Sequence, residues 1–247
     1  MDLGIKGKRA LVFGASQGLG FSIAKALHDE GAKVVLFSSN EERIVKAAAH
    51  LGRGALGMVV DLNEPGAARE GVKRAREKCD GPIDILVTNC GGPPTGGILD
   101  LTSQHWMTGF QSVWLSALDA IQEVVPEMKS QNWGRILLVT SAAAKEPMPN
   151  LTVSNGLRAG LLGMTKTMSN ELARFGITIN ALLPGFTDTE RLRELKISKE
   201  KIELMVPAGR VGKPEEFAAL AAFLASQQAA YISGQAISVD GGYLKGI

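Results

Sequence analysis

Short apolar runs alternate with amphipathic stretches along the whole chain. Seven runs have the length of a strand and are almost continuously apolar: residues 8–13, 33–37, 56–60, 83–88, 135–141, 177–183 and 236–239. Such runs are typical of strands buried on both faces of a parallel sheet. Helical periodicity fills the intervals between them, at residues 18–30, 41–51, 65–79, 102–131, 151–175 and 214–226.

This alternation predicts an α/β fold, because parallel strands need crossover connections and these are usually helices. Right-handed crossovers then give a doubly wound, Rossmann-like, seven-stranded parallel sheet with helices on both faces. No linker or repeat interrupts the pattern, so we expect residues 1–247 to form a single domain. Pro65 predicts the start of the third helix, and Pro126 predicts a break or kink in the fourth.

A glycine-rich loop, Gly-Ala-Ser-Gln-Gly-Leu-Gly at residues 14–20, joins the first strand to the first helix. Glycines allow the backbone to approach a ligand closely, and a helix N-terminus offers free N–H groups to an anion. The loop therefore predicts a phosphate site, the alternative being an ordinary turn. The ends of the next five strands carry Ser38, Asp61, Asn89, Ser141 and Pro184-Gly185. Ligands bind at this edge of a doubly wound sheet.

The composition is that of an ordinary folded protein, with 45% apolar residues, 21% charged residues and a net charge of +2. The small, interspersed charge argues against a nucleic-acid surface. No apolar run is long enough to span a membrane, and the N-terminus lacks the apolar core of a signal peptide. Cys79 and Cys90 lack metal-ligand spacing, so we expect no metal site and reduced thiols in a cytoplasmic protein.

The ordered motifs resemble those of the short-chain dehydrogenase/reductase family over essentially the whole chain. The glycine loop matches the family's Thr-Gly-x-x-x-Gly-x-Gly, with Phe13 in place of the threonine. The other matches are Asn89 and Gly91, Asn180, Pro184-Gly185, Thr189 and Asp240-Gly241-Gly242. The length is similar to that of the 3-oxoacyl-(acyl carrier protein) reductases.

The resemblance implies a nicotinamide dinucleotide cofactor. Its expected contacts are Gly14, Ser16, Gln17, Gly18, Leu19 and Gly20 around the pyrophosphate, Asp61 and Leu62 at the adenine, Asn89 and Gly91 at the adenine ribose, and Pro184, Gly185 and Thr187 at the nicotinamide. The second strand ends in Ser38 and Ser39, where a carboxylate would select NAD. We therefore expect NADP(H) to be favoured over NAD(H). Arg43 either reaches the 2′-phosphate or is an ordinary solvated residue.

The catalytic residues of the family are only partly present. Ser141 is in place, but Ser154 stands where the family has its tyrosine, Arg158 where it has its lysine, and Val113 where it has a helix asparagine. A serine hydroxyl is a far weaker acid than a phenol, and arginine keeps its proton. Ser141, Ser154 and Arg158 are the candidate catalytic residues, with Arg158 also expected at the cofactor ribose. The alternative for Ser154 and Arg158 is a helix cap and a surface residue.

The source of a proton is left open by these substitutions. The two tyrosines, Tyr231 and Tyr243, are far in sequence from Ser154, while Lys145, Glu146 and Asn155 are near it. Three functions remain: an NADP(H)-dependent oxidoreductase that reduces a small carbonyl or 3-oxoacyl substrate, a cofactor-binding sensor, scaffold or partner subunit without redox turnover, and a dehydratase or isomerase.

Residues 186–209 are charged and irregular, and we expect them to form a lid with a short helix. Its cations, Arg191, Arg193, Lys196 and Lys199, suit an acidic substrate or a carrier protein, or belong to a solvated helix face. The resemblance also implies a homotetramer, or a dimer, in which the helices near 102–131 and 154–175 pair between subunits. Small residues there permit close approach: Ala159, Gly160 and Gly163.

Overall fold

The computed structural model describes residues 2–194 and 197–246. Its strands are β1 (Arg9–Val12), β2 (Lys33–Ser38), β3 (Ala55–Val59), β4 (Ile85–Thr88), β5 (Gly134–Val139), β6 (Ile177–Pro184) and β7 (Ala236–Val239). Its α-helices are α1 (Gly18–Asp29), α2 (Glu41–Leu51), α3 (Ala67–Cys79), α4 (Ser103–Phe110), α5 (Ser116–Gln131), α6 (Thr152–Leu172), α7 (Glu190–Glu194), α8 (Lys199–Met205) and α9 (Pro214–Leu224).

The strands form one seven-stranded sheet in the order β3-β2-β1-β4-β5-β6-β7. Every neighbouring pair is parallel. The chain winds outwards from β1 to β3, returns to the other side of β1 with β4, and continues to β7. The predicted doubly wound sheet is therefore confirmed, with its topological switch point between β1 and β4.

Both faces of the sheet are buried, as the continuous apolar runs predict. In β1 and the residue after it, Ala10 and Val12 face one apolar cluster with α1, α2 and α9, while Leu11 and Phe13 face the other with α3, α5 and α6. Side chains alternate between the faces of a strand, so a run that is apolar at every position serves both layers.

Two expectations about prolines are wrong. Helix α3 begins at Ala67 rather than at Pro65, because Gly66 before it has a left-handed backbone, with φ of +77°. Pro126 lies inside α5 without a break. A proline inside a helix costs about 3 kcal/mol, but Val124 and Met128 of the same helix are fully buried in the core, which holds α5 in place.

The interruption in this helical region lies earlier, at a π-helical turn over Gln111–Leu115 between α4 and α5. Such turns often occur at functional sites. The predicted lid carries two short helices, α7 and α8, where one was expected. Lys196 lies outside the described residues. Within the described ranges, no helix is long and apolar enough to cross a membrane.

Candidate active site

The glycine loop between β1 and α1 has a conformation that only glycine adopts easily. Gly14 and Gly18 both have φ of +56°, in the left-handed region. A Cβ atom on Gly14 would lie 2.8 Å from the side-chain nitrogen of Asn89, and one on Gly20 would overlap the carbonyl oxygen of Gly14. The loop is thus folded tightly against the end of β4 and leaves the first turn of α1 open to a ligand.

Asn89 joins the two strands at the switch point. Its side-chain Nδ2 donates to the carbonyl oxygens of Phe13 and Gly14, each at 3.3 Å. These bonds hold the glycine loop beside the residue that follows β4. Asn89 is therefore a positioning residue for the loop as well as a wall of the space next to it.

A cleft of about 850 Å³ opens along the carboxyl ends of the strands. A volume of this size lies within the range of sites for small molecules and cofactors. The predicted site residues that line it are Gly14, Gln17, Gly18, Leu19, Asn89, Gly91, Ser141, Ser154, Arg158, Pro184, Gly185 and Thr187. Residues from β1, β4, β5, β6 and α6, distant in sequence, are thus brought to one site.

The remaining predicted cofactor residues are not among the residues lining the cleft: Ser16, Gly20, Ser38, Ser39, Arg43, Asp61 and Leu62. Ser38 donates to the hydroxyl of Ser16 at 3.0 Å, which connects the end of β2 to the glycine loop. The Asp61 carboxylate instead accepts from Asn63, through the backbone and the side chain.

Arg43 is tied to the glycine loop and to the lid. Its Nη1 donates to Oε1 of Gln17 at 2.8 Å and lies 3.7 Å from the Glu190 carboxylate. Gln17 in turn donates to Glu190 at 2.6 Å. These three side chains join α2, the glycine loop and α7, and two of them, Gln17 and Glu190, line the cleft.

The end of β5 carries the serine, and α6 carries the two substituted residues. Ser141 accepts a hydrogen bond from the backbone nitrogen of Ala143 at 3.1 Å, so its hydroxyl is fixed in orientation. Ser154 is buried and faces the cleft. Ser154 is not the cap of α6, because it lies inside the helix and the N-cap is Leu151. Arg158 is buried and is therefore not a surface residue.

Arg158 is only 7% exposed, and its partners are neutral. Nη1 donates to the carbonyl oxygens of Val139 at 3.1 Å and Thr140 at 2.8 Å, while Nη2 lies 3.9 Å from the sulfur of Cys90. Guanidinium has five N–H donors, so donors remain for a ligand. Among the described residues no carboxylate pairs with Arg158. A buried cation of this kind favours an electron-rich group in the cleft.

Val113, at the position where the family has its helix asparagine, is buried in the π-helical turn. The other proton sources near Ser154 are occupied elsewhere. Lys145 donates to the carbonyl of Ala236, Glu146 accepts from the C-terminal backbone, and Asn155 pairs with the backbone of Met148. None of these three is among the cleft-lining residues.

Tyr243 lines the cleft, although it was not among the predicted site residues. The signal for it was the preceding Asp240-Gly241-Gly242, which follows β7 and therefore lies at the carboxyl edge of the sheet with the other site residues. The lid lines the cleft as well, through residues 186–194. Its arginines are paired with its acids, Arg191 with Glu194 and Arg193 with Asp188.

Known proteins are similar to this chain over nearly its whole length. The family model described as enoyl-(acyl carrier protein) reductase matches residues 14–244. Human dehydrogenase/reductase SDR family member 4 is 36% identical over 95% of this chain and 87% of its own length. The 3-oxoacyl-[acyl-carrier-protein] reductase FabG of Vibrio cholerae is 34% identical over 97% of this chain and 98% of its own.

The chain belongs to the short-chain dehydrogenase/reductase family. It is an oxidoreductase by this membership. Solved structures of the family superpose over its full length. YwfH, an NADPH-dependent reductase involved in bacilysin biosynthesis, is 32% identical, with a TM-score of 0.92 over 98% of this chain and 100% of that one. L-sorbose reductase from Gluconobacter frateurii, complexed with NADPH and L-sorbose, is 29% identical, with a TM-score of 0.93 over the whole of both chains.

Proposed function

We propose that this short-chain dehydrogenase/reductase uses NADP(H) to reduce a small carbonyl substrate, with a 3-oxoacyl group as the first one to test. The observation that carries the proposal is one cleft at the switch point that gathers most of the predicted site residues. The cleft brings together the glycine loop, Asn89, which holds that loop, Ser141 and the buried Arg158, whose guanidinium has unused N–H donors. Two of the altered residues, Ser154 and Arg158, line this cleft and do not fill it, whereas Val113 is buried outside it.

The residues at the adenosine end fit a phosphorylated ribose better than a free one. Ser38 is the last residue of β2, and Ser39 and Asn40 follow it. None of the three carries a negative charge, and Arg43 lies one helical turn further on. A 2′-phosphate accepts hydrogen bonds from hydroxyls and from a guanidinium. YwfH and L-sorbose reductase, both named with NADPH, support the same choice.

The nicotinamide supplies a hydride when the cofactor is bound. The chain's own part is to bind and orient. Free N–H groups at the start of α1 would hold the pyrophosphate, and the spare donors of Arg158 would hold ribose hydroxyls. Ser141 and Ser154 donate to the carbonyl oxygen of the substrate. A hydride transfer between partners held in line needs little more than this alignment.

The experiment measures binding and turnover separately. Titration should give a lower dissociation constant for NADPH than for NADH. Steady-state assays over a carbonyl panel that includes a 3-oxoacyl thioester should then show NADPH oxidation above the background of the heat-inactivated protein. Binding that favours NADH contradicts the cofactor assignment, and turnover at background with every substrate contradicts the reductase.

A second function has its own support. The loss of the phenol and of the relay asparagine favours a cofactor-binding protein without redox turnover, serving as a sensor, scaffold or partner subunit. The double variant S154Y/R158K separates the two. A reductase is active before the change, whereas a binding protein takes up NADPH with ordinary affinity and transfers a hydride only after it.

We also propose a homotetramer, or a dimer, built on α4, α5 and α6, with residues 186–209 as the lid of a single domain. Ala159, Gly160 and Gly163 are exposed on α6, and the space beside Gly163 is open to a partner helix, whereas Trp114 of the same chain lies beside Gly160. Both cysteines are free thiols, which suits the reducing cytoplasm.

A further inference from the structure

The cleft has no phenol at the position where this family carries one, and the polar side chains near Ser154 are engaged elsewhere. A carbonyl oxygen that gains a hydride at its carbon must also gain a proton. Alignment alone does not supply that proton, and general acid catalysis typically contributes about 10²–10⁴-fold to the rate. A proton donor must therefore reach the cleft from another part of the chain.

Tyr243 comes to the cleft from the far edge of the sheet, on the segment after β7. Its ring packs edge-on against Phe186, with the ring centroids 5.1 Å apart. Phe186 directly follows Pro184-Gly185, the predicted nicotinamide neighbours. Tyr243 also packs in the same apolar cluster as Met148, which lines the cleft as well. The phenol is thus at the nicotinamide end of the cleft.

The segment that carries Tyr243 is fixed on both sides of it. The Asp240 carboxylate accepts from the backbone nitrogens of Gly242 and Leu244, each at 3.0 Å. The Glu146 carboxylate accepts from the backbone nitrogens of Lys245 and Gly246. The Tyr243 hydroxyl itself has no hydrogen-bond partner among the described residues. An ordered chain thus presents an unused phenol to the cleft.

We propose that Tyr243 is the proton donor of this reductase and replaces the phenol missing at Ser154. The proposal rests on the function proposed above. The carbonyl carbon gains the hydride and its two electrons from the nicotinamide, which is oxidised. The carbonyl oxygen takes the proton as the O–H bond of Tyr243 breaks, and the phenolate regains a proton from water. Ser141 and Ser154 hold the oxygen during the transfer.

The first test compares Y243F with Y231F. Tyr231 is fully exposed and lies outside the cleft, so it is a matched control. We expect Y243F to lower kcat about 10²–10⁴-fold while the NADPH dissociation constant stays within about twofold. Y231F should keep the wild-type rate. A wild-type rate in Y243F overturns the role of Tyr243, whereas a wild-type protein with no turnover overturns the reductase itself.

The second test distinguishes a chemical role from a structural one. In the S154Y/R158K background the usual phenol is restored, so adding Y243F should cost almost no rate. A structural role would cost the same factor in both backgrounds, and that result contradicts the proposal. A readout without turnover is nitration by tetranitromethane, mapped by mass spectrometry. NADPH should protect Tyr243 and leave Tyr231 reactive; equal nitration of Tyr243 with and without NADPH contradicts its place at the cofactor.

Discussion

Arg43 is, at the scale of single residues, the side chain on which the proposed preference for NADP(H) depends. It is half-exposed and lies 3.7 Å from Glu190, which is also half-exposed. An ion pair of this kind contributes at most about 1 kcal/mol, because solvent screens it. A 2′-phosphate carries more charge than a carboxylate and accepts more hydrogen bonds, so it competes well with Glu190 for the guanidinium.

The variant R43A should therefore weaken NADPH binding about tenfold, the loss expected when one hydrogen bond to a charged group is removed. NADH binding should not change, since NADH lacks the phosphate. Isothermal titration with both cofactors makes the measurement. The matched control is K46A, one turn further along α2, where the lysine is paired with Glu42. Equal weakening for both cofactors would show that Arg43 acts on the loop and not on the phosphate.

The sequence predicts single residues well where a motif fixes their register. Ser154 and Arg158 were placed by their spacing from Ser141, and both line the cleft. Tyr243 was not predicted, because its approach to Phe186 depends on the packing of β7 and the lid, which no local spacing records. Nor does the sequence show that Arg158 is held by the backbone at the end of β5.

The start of α9 shows how one side chain fixes an element next to the site. Glu216 accepts from both terminal nitrogens of Arg210, at 2.6 and 2.8 Å, and from the backbone nitrogen of Lys213 at the helix start. The Arg210 guanidinium and this backbone bond lower the pKa of Glu216 to about 2. Pro214, the first residue of α9, lines the cleft.

The variant E216Q should lower Tm at about pH 7, because the folded state loses a carboxylate whose pKa it holds at about 2, below the ordinary 4.5. A lowered pKa stabilises the fold above the unfolded value and ceases to do so as pH falls towards the folded value. The gap in Tm between wild type and E216Q should therefore shrink from about pH 4.5 to about pH 2. Thermal unfolding followed by circular dichroism measures it. E215Q, in the same helical turn but outside the Arg210 pair, is the control, and a gap independent of pH contradicts the assignment.

The sequence predicts a helix or strand well when the apolar pattern of that segment alone determines it. All seven strands and the longer helices fall within a few residues of their predicted positions. The exceptions are decided by tertiary packing. Burial of Val124 and Met128 keeps α5 continuous through Pro126. The π-helical turn at Gln111–Leu115 contains no proline or glycine from which it could be predicted.

The whole molecule exposes an apolar surface around α4 that the fold itself does not use. Ile98, Leu99 and Met107 are 66%, 96% and 61% exposed, and Phe110 is 37% exposed. Met107 and Phe110 are three residues apart and share one face of α4. The helix α4 itself packs against α6. Apolar surface of this kind marks an interface more often than it marks free solvent.

The topology of the sheet followed from the sequence at this scale, since a parallel sheet with right-handed crossovers leaves few arrangements. The surface through which subunits would pair did not follow from the sequence in the same way. Gly160, expected to admit a partner helix, has Trp114 of its own chain beside it, whereas the missing Cβ of Gly163 has open space around it. Only the folded chain shows which small residues remain available to a partner.

The variant M107E tests the proposed assembly. Placing a carboxylate in an apolar interface costs several kcal/mol, so we expect the mass measured by light scattering after gel filtration to fall from that of a tetramer or dimer towards that of one chain. Circular dichroism should be unchanged, because Met107 is exposed within the single chain. The control is L204E, a substitution at an apolar residue of α8 that is even more exposed, at 89%, and it should leave the mass as it is. If M107E and wild type elute with the same mass, the subunits meet through another surface, and the exposed face of α4 needs a different partner.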